Sequence, residues 1–200
     1  ILSVTVRDAG TPPADWTNPF TDVDESAWYY GNVKFVHQNG LFEGTGAAAF
    51  SPGMPMTRGM LVTVLGRLAG VDVSGCTTSS FTDVKEGSTF RPYIEWAYKK
   101  GVIQGFSNGQ FAPDRAVTRE EIAVILQNYV RTTGYTLPVT RVVVTFADNG
   151  SIGSACRDAV KAMQQAGIMM GGTGGKFNPK ASATRAEVSS MLHRYIKLTI

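Results

Sequence analysis

Apolar residues fall at the same offsets three times along this chain. Counting back from Gly40, Gly101 and Gly167, the residues four, seven and eleven positions earlier are apolar every time: Val36, Val33, Tyr29; Ala97, Ile94, Phe90; Met163, Val160, Cys156. That spacing makes one face of a helix, and a glycine just beyond it suits a left-handed C-terminal residue. A second stripe follows each first one: Leu61, Val64, Leu65, Leu68; Ile122, Ile125, Leu126, Tyr129; Val188, Met191, Leu192, Tyr195. Thr57, Thr118 and Thr184 precede these stripes as N-caps. Glu121 and Glu187, three residues on, complete a capping box, whereas Met60 leaves the first one half made.

The segments that link the two helices also recur. Gly-rich loops over 44–52, 105–113 and 171–179 end in Phe-x-Pro at Phe50/Pro52, Phe111/Pro113 and Phe177/Pro179. The phenylalanine is expected to plug a small core, while the proline stops the second helix from starting early. Upstream, Phe20-Thr21-Asp22, Phe81-Thr82-Asp83 and Phe146-Ala147-Asp148 open each unit. A period of about 61 to 66 residues (Phe20 to Phe81, Arg119 to Arg185) identifies one supersecondary unit used three times. Each unit is too short to bury much core alone, so the three are expected to pack into one mainly α body.

The expected organisation is a leader and linker over 1–19, then repeats over 20–75, 76–138 and 139–200. Residues 1–7 alternate apolar and polar as a strand would, and 11–19 are proline-rich, which reads as the end of an upstream region plus a linker. The net charge of +3, from 19 basic and 16 acidic residues spread without long runs, shows no basic stripe for nucleic acid. No apolar run reaches the length of a membrane span, so no membrane insertion is expected. Cys76 and Cys156 are too few for a disulfide framework; they read as one exposed thiol and one buried small residue, or as a single staple.

Several weak signals lead nowhere. Gly44-Thr45-Gly46 opens a loose dinucleotide fingerprint but runs into Phe-Ser-Pro instead of a helix. Gly174-Gly175-Lys176 lacks the hydroxyl and leading glycine of a P-loop. His37 and His193 have no ligand-spaced partner, and Asp22, Asp24 and Glu25 lack the glycine turn of a calcium loop. With no recurring catalytic constellation, neither an enzyme nor a cofactor is expected.

Arg58, Arg119 and Arg185 have no such packing explanation. Each stands just past a cap, where the positive end of the helix dipole disfavours a cation. Three arginines in that place point to an anion, held jointly by guanidinium forks and free helix N–H groups. The alternative pairs each arginine with a carboxylate of a neighbouring repeat, such as Asp22, Asp83 or Asp148. Exposure at N1 also predicts that alanine there leaves thermal stability almost unchanged. Trp28 and Trp96 are candidate sugar platforms, and Gly105 and Gly171 could let a ligand approach the backbone.

The combination of Phe-x-Asp, a helix such as Pro92-Tyr93-Ile94-Glu95-Trp96-Ala97-Tyr98-Lys99-Lys100-Gly101, then Gly-x-x-Asn-Gly-x-Phe-x-Pro and Thr-Arg-Ala-Glu resembles the S-layer homology domain in triplicate. The resemblance runs from Phe20 to Lys197. It implies a pseudo-threefold helical bundle that anchors exported bacterial proteins at the cell surface, through anionic, commonly pyruvylated, secondary cell-wall polysaccharide held between repeats. It also implies anion contact by Arg58, Arg119 and Arg185, next to Thr118 and Thr184. Association with other surface-layer subunits is the alternative. Thr57-Arg58-Gly59-Met60 departs from the pattern that Thr184-Arg185-Ala186-Glu187 keeps intact, so unequal grooves are expected.

Overall fold

A computed structural model describes residues 16–200; the strand-like alternation over 1–7 lies outside the described residues. Six α-helices follow in order: α1 (Tyr30–Gln38), α2 (Arg58–Leu68), α3 (Arg91–Lys99), α4 (Arg119–Thr133), α5 (Arg157–Gln165) and α6 (Arg185–Thr199). Short 3-10 turns precede α5 and interrupt the third loop, and the described residues form no strand beyond isolated bridges.

The predicted stop and start signals act as written. Gly40, Gly101 and Gly167 take φ of 67°, 73° and 73° just after α1, α3 and α5. Beyond each, a peptide N–H returns to the last turn: Leu41 to the Val36 carbonyl at 2.9 Å, Val102 to Ala97 at 2.8 Å and Ile168 to Met163 at 2.9 Å. At the other ends, Thr57, Thr118 and Thr184 accept the N–H of Met60, Glu121 and Glu187. Glu121 and Glu187 close full capping boxes, and α2 keeps the half cap.

Helix pairing crosses repeat boundaries. The tightest pairs are α2 with α3, α4 with α5, and α6 with α1, so each second helix leans on the first helix of the following repeat. The last pair joins the last helix to the first and closes a ring. Its centre is a triangle of backbone hydrogen bonds among fully buried residues: Met56 N–H to the Ala183 carbonyl (2.8 Å), Ala183 to Val117 (3.4 Å) and Val117 to Met56 (2.9 Å). That triangle marks the pseudo-threefold axis. Around it the two apolar stripes form one core, with Leu61, Leu65, Ile122, Leu126, Val188 and Leu192 buried.

The Phe-x-Pro turns show what the Phe-x-Asp aspartate does. Ser51, Ala112 and Asn178 each sit at φ of 56°, a left-handed conformation that non-glycine residues adopt at a cost of about 1 kcal/mol or more. One carboxylate offsets it in each repeat. Asp22 accepts the N–H groups of Phe50 and Ser51, Asp83 those of Phe111 and Ala112, and Asp148 those of Phe177 and Asn178, all at 2.7 to 2.8 Å. The three phenylalanines are completely buried, as the core plug requires.

Candidate inter-repeat anion grooves

The three arginines reach across repeat boundaries in the same way. Arg58 Nε donates to the Phe111 carbonyl (2.8 Å) and Nη2 to Gln104 (3.3 Å). Arg119 repeats this with Phe177 (2.8 Å) and Met170 (3.0 Å), and Arg185 with Phe50 (2.8 Å) and Glu43 (2.7 Å). Each guanidinium also lies over the plugging phenylalanine ring, at 4.5, 5.0 and 4.6 Å from Phe111, Phe177 and Phe50.

This geometry corrects three expectations. The arginines are not exposed: Arg58 and Arg185 retain 5% and 6% of their surface, and Arg119 is half-buried. Their helix N–H groups are not free for a ligand. The Arg58, Arg119 and Arg185 peptides donate to the Arg115, Ala181 and Met54 carbonyls at 2.9 Å, and the next N–H in each helix bonds Pro113, Pro179 or Pro52. Nor do Asp22, Asp83 and Asp148 pair with the arginines, since both oxygens of each hold the Phe-x-Pro turn. Burial pulls all three arginines below their ordinary pKa, Arg185 to about 10, where it is still charged at neutral pH.

What remains for a ligand is Nη1. In Arg58 it meets Glu121 Oε1 at 3.5 Å. In Arg119 and Arg185 it makes no hydrogen bond among the described residues. Each arginine borders a cavity built by all three repeats: the arginine from one, the loop and second helix from the next, and the start of the first helix from the third. The Arg58 groove, about 370 Å³, is bordered by Ile103, Gln104, Glu121, Asn128 and Cys156. The Arg119 groove, about 160 Å³, is bordered by Met170, Gly171, Glu187, Arg194 and Trp28. The Arg185 groove, about 350 Å³, is bordered by Phe42, Glu43, Met60, Arg67 and Phe90.

Residues 19–59, 80–123 and 145–189 match the S-layer homology domain, and each match ends just inside the helix that carries the arginine. The chain belongs to the S-layer homology domain family. It is 29% identical to an endoglucanase of Bacillus sp. (strain KSM-635) over 174 residues, which is 87% of this chain and 18% of that protein. It is 26% identical to the S-layer protein sap of Bacillus anthracis over 184 residues, 91% of this chain and 22% of the other. A cellulosome-anchoring protein of Acetivibrio thermocellus is 28% identical over 134 residues, 64% of this chain and 29% of that protein. The chain thus spans less than a third of the length of these relatives.

Within this S-layer homology triplet, the grooves differ at one residue of the second helix that borders them, nine places after that helix's own arginine. That residue is Arg67, Asn128 or Arg194. Arg67 is tied to Glu43 at 3.3 Å, whereas Arg194 is exposed and forms no ion pair among the described residues. Arg194 was missed in the sequence. A cation recurring at the same offset in two of three repeats was the signal that could have found it.

The other candidates divide. Thr118 and Thr184 are spent on their caps, with their hydroxyls accepting helix N–H groups at 3.4 and 3.2 Å. Trp28 is 64% exposed and stands at the edge of the Arg119 groove. Trp96 is buried and borders a different cavity, away from the three arginines. The glycines answer to packing. A Cβ on Gly105 would come within 2.2 Å of the Phe81 ring, and one on Gly171 within 2.9 Å of Phe146. Gly59 is explained likewise, since a Cβ there would meet the Phe90 ring at 2.6 Å. Cys76 and Cys156 are separate, half-buried thiols.

Among the described residues, no helix is long and apolar enough to cross a membrane, and no His, Cys, Asp and Glu cluster could hold a metal ion.

Proposed function

We propose that this segment is a non-catalytic anchor that holds a larger protein at the bacterial cell surface by gripping an anionic, pyruvylated secondary cell-wall polysaccharide. The Arg119 groove is its principal site. Its lining charges are Arg119 and Arg194 against Glu187, and one oxygen of Glu187 is committed to the Thr184 N–H at 2.8 Å. The Arg119 Nη1 left without a partner is the observation that carries this reading. A ligand carboxylate would meet it in a partly desolvated cleft, where charge-assisted hydrogen bonds are strong. Exposed Trp28 offers an apolar face for the attached sugar ring. The Arg185 groove serves as a weaker second site, and two weak sites on one chain raise retention by effective concentration.

Family membership and the surface-layer and anchoring relatives support a place at the cell surface. The test is retention on purified sacculi before and after removal of the secondary polymer, for the parent chain and Arg119→Lys. Lysine keeps the charge but cannot reproduce the planar fork. Retention should vanish with the polymer and fall about tenfold in the variant, the loss of one charge-assisted contact. Polymer-independent retention would instead support docking to other surface-layer subunits.

A further inference from the structure

Trp96, a candidate sugar platform in the sequence, stands apart from the three arginine grooves. It borders a cavity of about 350 Å³ between the C-terminal ends of α2 and α4, roughly the length of α4 (about 20 Å) from the Arg119 groove. Ala69, Val71 and the largely buried Trp96 and Tyr129 supply its apolar side; Asp72, Lys100, Thr132 and Thr133 supply its polar groups. The size lies near the lower end of small-ligand sites, about 300 to 1,000 Å³. Tyr129 is 1% exposed, and its hydroxyl has no hydrogen-bond partner among the described residues. Buried polar groups are rarely left that way, so an unfilled bond here asks for an explanation.

From these groups we infer a second binding site, specific for an uncharged hexopyranose unit of a glycan chain. A purely apolar ligand would strip water from Asp72 and Lys100 without replacing it. A carboxylated sugar would face Asp72. A neutral sugar satisfies both: its C–H face covers the apolar side, and its hydroxyls donate to Asp72 and accept from Lys100. The Thr132 and Thr133 hydroxyls already donate to the Tyr129 and Val130 carbonyls, at 2.6 and 2.7 Å, and so present acceptor oxygens to the cavity's rim. The site uses none of the three arginines and stands or falls independently of polysaccharide anchoring. Occupied together, the two ends of the bundle would hold an acidic and a neutral glycan at once.

The experiment is an amide chemical-shift titration of the 200-residue chain with two neutral disaccharides, cellobiose and N,N′-diacetylchitobiose. At least one of them should perturb, at millimolar concentration, the amides of Val71, Asp72, Thr132 and Thr133 and the Trp96 indole. Asp72→Asn, at an exposed position that leaves the core intact, should weaken that binding about tenfold, as loss of one charge-assisted hydrogen bond does. The proposal is overturned if neither sugar shifts these signals, if the shifts gather instead at Trp28 and Arg194, or if Asp72→Asn binds as tightly as the parent chain.

Discussion

The Arg119 and Arg58 grooves have the same backbone pattern and different electrostatics. In both, Nε and Nη2 of the arginine bond two carbonyls of the next repeat, and a phenylalanine ring underlies the guanidinium. At Arg58 the remaining nitrogen faces Glu121, which Arg115 also contacts, and Phe106 packs over both arginines at 4.9 and 5.3 Å. At Arg119 the equivalent of Phe106 is Gly172 and that of Arg115 is Ala181, so the loop brings neither that ring nor a second cation to the fork. One arginine has become a rivet, while the other is a rivet with a hand free. A repeated residue can therefore carry structure in every copy and keep an uncommitted donor in only some.

The sharpest way to break this contrast is Arg58→Ala. It deletes a cation with 5% of its surface exposed, leaves the Phe111 and Gln104 carbonyls without donors and strands Glu121 beside Arg115. Breaking such a buried pair costs about 3 to 5 kcal/mol. Thermal or denaturant unfolding should show a loss of that order, with wall binding per folded molecule unchanged. A variant that keeps its stability but loses binding would mean that the Arg58 groove is the working one.

The periodicity in the sequence was enough to place all six helices, their threonine caps and their glycine stops, because those signals are local: one side chain meets one nearby backbone group. It could not show that the second helix of each repeat leans on the following repeat, nor that the peptide N–H groups of Arg58, Arg119 and Arg185 are consumed by neighbouring carbonyls. Those facts depend on how the ring closes. The three arginines stand at the helix starts where the sequence puts them but are buried or half-buried, since an awkward charge can be satisfied by carbonyl oxygens as well as by an anion. The aspartates of Phe-x-Asp were misplaced for a related reason. Their partners are peptide N–H groups 28 to 30 residues away, which carry no residue type to search for.

Acid should strain the Arg119 side more than the Arg58 side. His193 on α6 stacks on Phe35 of α1 at 3.9 Å and pairs with Asn32 at 2.9 Å, next to Arg194 of the Arg119 groove. Burial first, then Lys197 and Arg194, bring its pKa down from 6.5 to about 4. The unfolded chain therefore takes up a proton that the folded chain refuses between these values. Stability is whole above about pH 6.5, falls as pH drops toward 4, and changes no further through this group below that. Discounted for partial exposure, the loss is about 2 kcal/mol. Unfolding of His193→Gln across that range should be flatter than that of the parent by this amount. An equal slope in both would remove His193 as the cause.

The smallest effect isolates the free hand itself. Trp28 is 64% exposed, packs edge-on against Tyr29 at 5.4 Å and borders the Arg119 groove, while the corresponding position beside the Arg58 groove is Ala155. Covering about 40 Å² of its ring with a sugar is worth roughly 1 kcal/mol, or about fivefold in affinity. Trp28→Ala should lower polymer binding by that factor and leave the melting temperature in place, because so little of the ring is in the core. The converse change, Ala155→Trp, should gain nothing, since the arginine it would assist is already held by Glu121. If the added tryptophan does raise binding, the Glu121 contact does not close the Arg58 groove, and the two sites differ by degree and not in kind.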